Sequence, residues 1–186
     1  MKFLKAVRLD VSDSKIFAAE GALEDGEWVV SGGYAVCDLA SGSHRQPGCR
    51  CDVSFIGLGN RKRCTIAEVV KIDETTHHQH IETLTRHFLE DPGAPSHEAT
   101  RAAAEEEISY TAELCESFEP EAWITVKRTP TEQGVKRLLH PQRTGEMWES
   151  PIVSIRPPIA SPLSWQSDQR VLRVPQPLRL MGHAAR

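Results

Sequence analysis

The sequence predicts an α+β fold: a mainly antiparallel sheet of about five strands, with two long helices packed on one face. Three observations carry this. Apolar residues alternate with a period of two through most of the stretch before Asp73, then switch to helical spacing as far as Phe118. Strand-like and helix-like segments are therefore segregated along the chain, the pattern of helices laid on a mainly antiparallel sheet. Composition then breaks at His140–Pro141, after which 46 residues hold seven of the 12 prolines and no lysine. The expected organisation is one domain over residues 1–140 and an irregular Pro/Arg-rich tail over 141–186, disordered or loosely docked.

The elements follow in order. Residues 3–9 put Phe3, Val7 and Leu9 on one face and Arg8 on the other, a half-buried strand. Val11-Ser12-Asp13-Ser14 breaks it, and Glu24-Asp25-Gly26 reads as a turn. Residues 27–37 resume strand character, with Gly32-Gly33 marking a bulge or a tight hairpin. Residues 41–50 read as a loop, 52–56 as a short strand and Gly57-Leu58-Gly59-Asn60 as a turn. The run 64–72 is the most β-branched in the chain and reads as a central strand, with Glu68 on the face of Ile66, Val70 and Ile72.

From Asp73 to Glu90 the stripe Ile81, Leu84, Phe88 predicts a first long helix, stopped by Asp91-Pro92-Gly93. Ser96 caps a second over 97–117, whose apolar face is Ala104, Ile108, Ala112, Cys115 and Phe118. Residues 122–128 form a further strand. Thr129-Pro130-Thr131-Glu132 matches a capping box with proline at the first helical position, so a third, short helix is expected to end by His140. In the tail only 152–155 and 171–174 look strand-like, and its proline pairs favour extended chain.

Charge narrows the functional classes. The net charge is −4, yet the tail carries six arginines against three acids, which leaves the body at −7. An acidic body lacks the clustered cations that replace phosphate counterions, so nucleic acid is not an expected partner. No stretch approaches the length of a membrane span, and charges interrupt the apolar N-terminus too often for a signal peptide. Five cysteines, an odd number, fit reduced thiols, and the expected location is the cytoplasm.

Several groups of residues are candidates for chemistry. Cys37, Cys49, Cys51 and Cys64 supply four thiolates for zinc, but only one Cys-x-Cys pair stands where two Cys-x2–4-Cys knuckles are usual. His77, His78, His80 and His87 lie on the first helix without the glutamate of a HExxH motif. Spacing puts His77 on the apolar stripe and the other three in solvent. The glutamates around Glu105-Glu106-Glu107 read as a solvated helix face, with no carboxylate turned inward. The turn Gly57–Asn60, followed by Arg61, Lys62 and Arg63, offers Arg61 and Arg63 to an anion, although no helix follows as phosphate loops require. Glu68 with a histidine of the first helix is the acid–base pair of an enzymatic alternative, in a pocket between sheet and helices. No catalytic residue, cofactor or resident metal is expected. The leading reading is a non-catalytic accessory or protein-interaction domain that docks on a larger protein or on its own twin. Its anchors would be Trp28, Phe55, Gly57, Gly59 and Trp123, aromatics and a glycine turn of the kind interfaces use.

The ordered set Met1-Lys2-Phe3-Leu4, Arg8-Leu9-Asp10, Gly26-Glu27-Trp28-Val29-Val30-Ser31-Gly32, Phe55-Ile56-Gly57-Leu58-Gly59, Gly93-Ala94-Pro95 and Ala103-Ala104-Glu105-Glu106-Glu107-Ile108 resembles a family of small alphaproteobacterial proteins known only as a domain of unknown function. The resemblance covers roughly residues 1–140. It implies no activity, cofactor or catalytic residue, and through neighbouring genes it implies a helper role to redox enzymes. The chain departs from that family pattern in Cys49, in Cys51 and in its tail.

Overall fold

The computed structural model describes residues 1–18, 21–35, 50–91, 93–131, 134–142 and 152–156. The elements are β1 (Lys2–Val7), α1 (Ser12–Ile16), β2 (Trp28–Val30), a 3-10 turn (Gly33–Ala35), β3 (Phe55–Gly57), β4 (Arg63–Cys64), β5 (Ile66–Lys71), α2 (Glu74–Leu89), α3 (His97–Glu116), β6 (Trp123–Thr131), β7 (Gly134–Gln142) and β8 (Ile152–Arg156). Seven strands up to Gln142, and an eighth beyond it, form one sheet in the order β4-β3-β2-β1-β5-β6-β7-β8. Every strand pairing is antiparallel. The α+β class is as expected, but the sheet is larger than five strands.

The helices are not confined to one face. In β1 the adjacent residues Phe3 and Leu4 are both 0 % exposed, so this strand is covered on both sides. Register places Leu4 beside Val29 and Val69, and Ala67 beside Ala6 and Ile124. These residues form a core cluster with Tyr110, Leu114, Cys115 and Phe118 of α3. Phe3, Val30 and Ile56 form a second cluster with Ile81, Leu84 and Phe88 of α2, joined by Ala104, Ile108 and Ala112 of α3. Helix α3 therefore belongs to both clusters, and α2 to the second alone. Single-strand alternation does not reveal this, because a strand buried on both faces loses its polar positions.

The caps behave as the sequence indicates. The Asp73 carboxylate accepts from the Thr76 amide at 2.7 Å, and Ser96 Oγ accepts from the Ala99 amide at 3.3 Å. Each satisfies an amide that has no partner within its helix. Arg101 of α3 pairs with Glu105 at 2.9 Å and also with Glu82 of α2, tying the two helices at their surface.

Three expected elements need correction. β1 ends at Val7 rather than at residue 9, and Leu9 is 63 % exposed. There the chain turns into α1, whose buried Asp13 accepts from Thr65 Oγ1 at 2.8 Å and from the Thr65 amide at 3.2 Å. The strand expected over 27–37 stops at Val30, because Gly32 takes φ +74° and packs against Ile56. The expected third helix is a hairpin: β6 and β7 pair from Trp123↔Gln142 to Thr131↔Gly134. Ile124, Val126 and Arg128 on β6, with Arg137 and Leu139 on β7, are buried at every second position. That period-two burial, on a β-branched run with a long partner strand, outweighs a local capping-box match. β7 crosses His140–Pro141, and β8 pairs with it from Val135↔Arg156 to Leu139↔Ile152. The remaining tail residues, including 171–174, lie outside the described residues, as do residues 41–49 of the loop expected over 41–50.

Candidate functional site

A cleft of about 320 Å³ opens between the turn that follows β3 and the exposed side of α2. Its walls include Glu27, Trp28, Leu58, Asn60, Gln79 and His80. The turn is built by its glycines. Gly59 adopts φ +79°, and a Cβ there would stand 2.8 Å from Thr83 Cγ2 on α2. A Cβ at Gly57 would overlap the Asn60 side chain. The Leu58 amide donates to the Trp28 carbonyl at 2.8 Å, which anchors the turn to β2.

Trp28 is the hinge of the cleft. Its indole has the Lys5 ammonium 4.5 Å from the ring centroid and the His80 imidazole at 4.6 Å. His80 also stacks on Phe3 at 4.5 Å. It is 3 % exposed, and neither ring nitrogen has a hydrogen-bond partner. Burial first, and His77 second, pull its pKa down to about 4, so the ring is neutral at pH 7. The buried histidine of α2 is thus His80, whereas His77, assigned to the stripe by its spacing, is only half-buried.

Beyond β1 the same sheet face carries a row fixed by register. Trp28 pairs with Lys5, Lys5 with Glu68, and Glu68 with Trp123. All four are half-buried. Glu68 lies two strands across from Trp28, with Lys5 between, whereas His80 packs on Trp28 and Phe3.

A second polar group lies inside the molecule. Glu107 of α3 is 0 % exposed, and its Oε1 accepts from Ser31 Oγ at 2.7 Å and from the Gly32 and Gly33 amides at 2.8 and 3.4 Å. Burial raises its pKa, while Ser31 and then Arg137 oppose the rise. Arg128 Nη1 donates to the Cys51 and Ser54 carbonyls at 2.7 Å each, and its Nη2 donates to the Ser31 carbonyl. Arg137 stacks on Tyr110 at 4.7 Å, and a Cβ at Gly33 would overlap its guanidinium. The inward glutamate overturns the reading of that helix as carrying none. Arg128 and Arg137 gave no sequence signal, since a lone arginine in a strand normally reads as solvated. Gly32-Gly33, whose glutamate lies 75 residues further along the chain in no recognisable motif, gave none either.

The other expected site residues are dispersed. Phe55 is fully buried in the larger core cluster, and Gly57 is buried at the end of β3. Trp123 stands half-buried on β6. Arg61 is exposed and pairs with Asp91, whereas Arg63 is buried and donates to Ser54 Oγ at 3.0 Å. Cys37 and Cys49 lie outside the described residues. Cys51 and Cys64 are buried, and burial raises the pKa of Cys64. Among the described residues no three metal-ligating side chains gather. No helix among them is long and apolar enough to cross a membrane.

The sequence pattern of a protein family described as a family of unknown function, DUF6505, matches residues 1–147. Comparison with curated proteins and with solved structures gives no match.

Proposed function

We propose a non-catalytic binding role for this chain, which belongs to the DUF6505 family: an accessory domain that receives a partner protein at the cleft beside Trp28. One observation supports it most. The cleft joins a half-buried indole to a neutral, hydrogen-bond-free imidazole and a rigid glycine turn. At about 320 Å³ it falls at the small end of ligand sites, the size for one or two inserted side chains. Aromatic anchors in such pockets commonly dominate interface energetics. The helper role to redox enzymes belongs to this proposal as the class of partner.

The test is affinity purification of the tagged full chain from its native cells, beside Gln79→Trp. Gln79 is exposed on α2 and lines the cleft, so an indole there fills it without disturbing the core. The expected result is one protein recovered in stoichiometric amount with the wild type and at least tenfold less with the variant. Equal recovery with both, or none with either, overturns the docking site.

A further inference from the structure

We propose that the buried group around Arg128, Arg137 and Glu107 is a site for hydrogen phosphate, held inside the domain between the two guanidinium groups and the carboxylate. Arg128 and Arg137 are directly opposed in the β6–β7 ladder and are 3 % and 1 % exposed. Like charges at paired positions repel each other, and burial removes the water that would screen them. Arg63, also buried, adds a third cation. Its Nη1 donates to Ser54 Oγ at 3.0 Å, and Arg128 donates to the carbonyl of the same serine. Burial first, and the Arg137 charge second, pull the Arg128 pKa down to about 9.

The carboxylates nearby do not balance these charges. Asp13 and Glu107 are the buried acids among the described residues, and Asp13 is engaged by Thr65. Glu107 Oε1 is taken by the Ser31 hydroxyl and the Gly32 and Gly33 amides. Among the described residues no ion pair joins Glu107 to either arginine, although Arg137 Nη2 and Glu107 Oε2 both border the space of the absent Gly33 Cβ. Arg137 Nε and Nη1, Arg128 Nε and Glu107 Oε2 are buried without a hydrogen bond. Polar atoms so placed are costly, and charged ones most of all. The guanidinium nitrogens need an anion, and the carboxylate oxygen needs a donor. Hydrogen phosphate is both. Its oxygens accept from guanidinium groups, and its hydroxyl can donate to Glu107 Oε2. At neutral pH it also brings the two negative charges that three guanidinium groups beside one carboxylate lack. Sulfate and simple carboxylates have no proton to donate at that pH, and water has no charge.

None of these residues lines the cleft, so the site goes beyond the docking role and fails separately from it. The full chain at about 100 μM is dialysed to equilibrium against about 100 μM inorganic phosphate, then denatured. The excess phosphate on the protein side counts the ion whether it enters during dialysis or is carried from the cells. The expected result is close to one phosphate per chain, with an equal concentration of sulfate displacing less than about a tenth of it. Arg137→Met should bind at least tenfold less. Arg61→Ala, which alters an exposed cation of the turn after β3, should bind as the wild type does, and so should the cleft variant Gln79→Trp. A wild type holding less than about a tenth of a phosphate per chain overturns the proposal, whether or not Arg137→Met folds. Phosphate retained by folded Arg137→Met, lost in Arg61→Ala, or displaced one for one by sulfate overturns it as well.

Discussion

Glu107 accepts the Ser31 hydroxyl at 2.7 Å in a place where neither residue has contact with solvent. Ser31 is also held from its other side: its amide donates to Thr111 Oγ1 at 3.0 Å, and its carbonyl accepts from Arg128. The bend that ends β2 is thus clamped between α3 and β6. Glu107→Ala removes the acceptor of a hydroxyl and two amides that water cannot reach. Chemical denaturation should show a loss of about 3 kcal/mol or more, the range for breaking a buried charged network.

The protonation of Glu107 has its own signature. Its folded pKa is raised above the unfolded value, chiefly by burial. The folded state therefore holds the proton longer, and this group's contribution is full below the unfolded pKa and is lost as pH rises through the folded one. Glu107→Gln keeps the shape and removes the titration. Stability measured from pH 4.5 upward should decline less steeply in this variant than in the wild type.

His80 works in the opposite sense. Its pKa falls to about 4 on folding from an ordinary 6.5, mainly through desolvation. Its contribution is present above pH 6.5 and is lost as pH drops toward 4. Thermal melts at pH 7 and pH 4.5 should show a smaller fall for His80→Phe than for the wild type. The phenyl ring fills the same space between Phe3 and Trp28 without a charge to bury.

Arg128 satisfies three carbonyls, those of Ser31, Cys51 and Ser54. Arg128→Met retains the aliphatic stem and removes all three of these hydrogen bonds. The expected cost is about 3 kcal/mol, and Arg128→Lys should recover only part of it, because a single ammonium cannot reproduce the planar fork.

At Gly59 the backbone and the packing both resist a side chain. The positive φ is strained for alanine, and the new methyl would press on Thr83. Gly59→Ala should cost about 1–3 kcal/mol in an equilibrium melt and reshape the cleft wall.

The helices were legible because their signals are local. Asp73 and Ser96 cap them, and Ile81, Leu84 and Phe88 mark the buried stripe of α2. The third helix was misread for the same reason: Thr129–Glu132 satisfies a local rule, while the partner strand that decides the matter begins at Gly134. His80 was missed because His77 fits the same stripe by spacing, and only the positions of Phe3 and Trp28 decide between them. Glu107 hid in a run of glutamates whose other members face water. Arg128 becomes a clamp only when β6 passes beneath the Cys51–Ser54 turn, a contact set by tertiary structure.

The most direct test of the binding role is hydrogen–deuterium exchange on the full chain, with and without the protein that co-purifies with it. Protection concentrated in residues 57–62 and 76–83, the two walls of the cleft, is the predicted result. Protection elsewhere alone, or unchanged exchange at both walls, would contradict it.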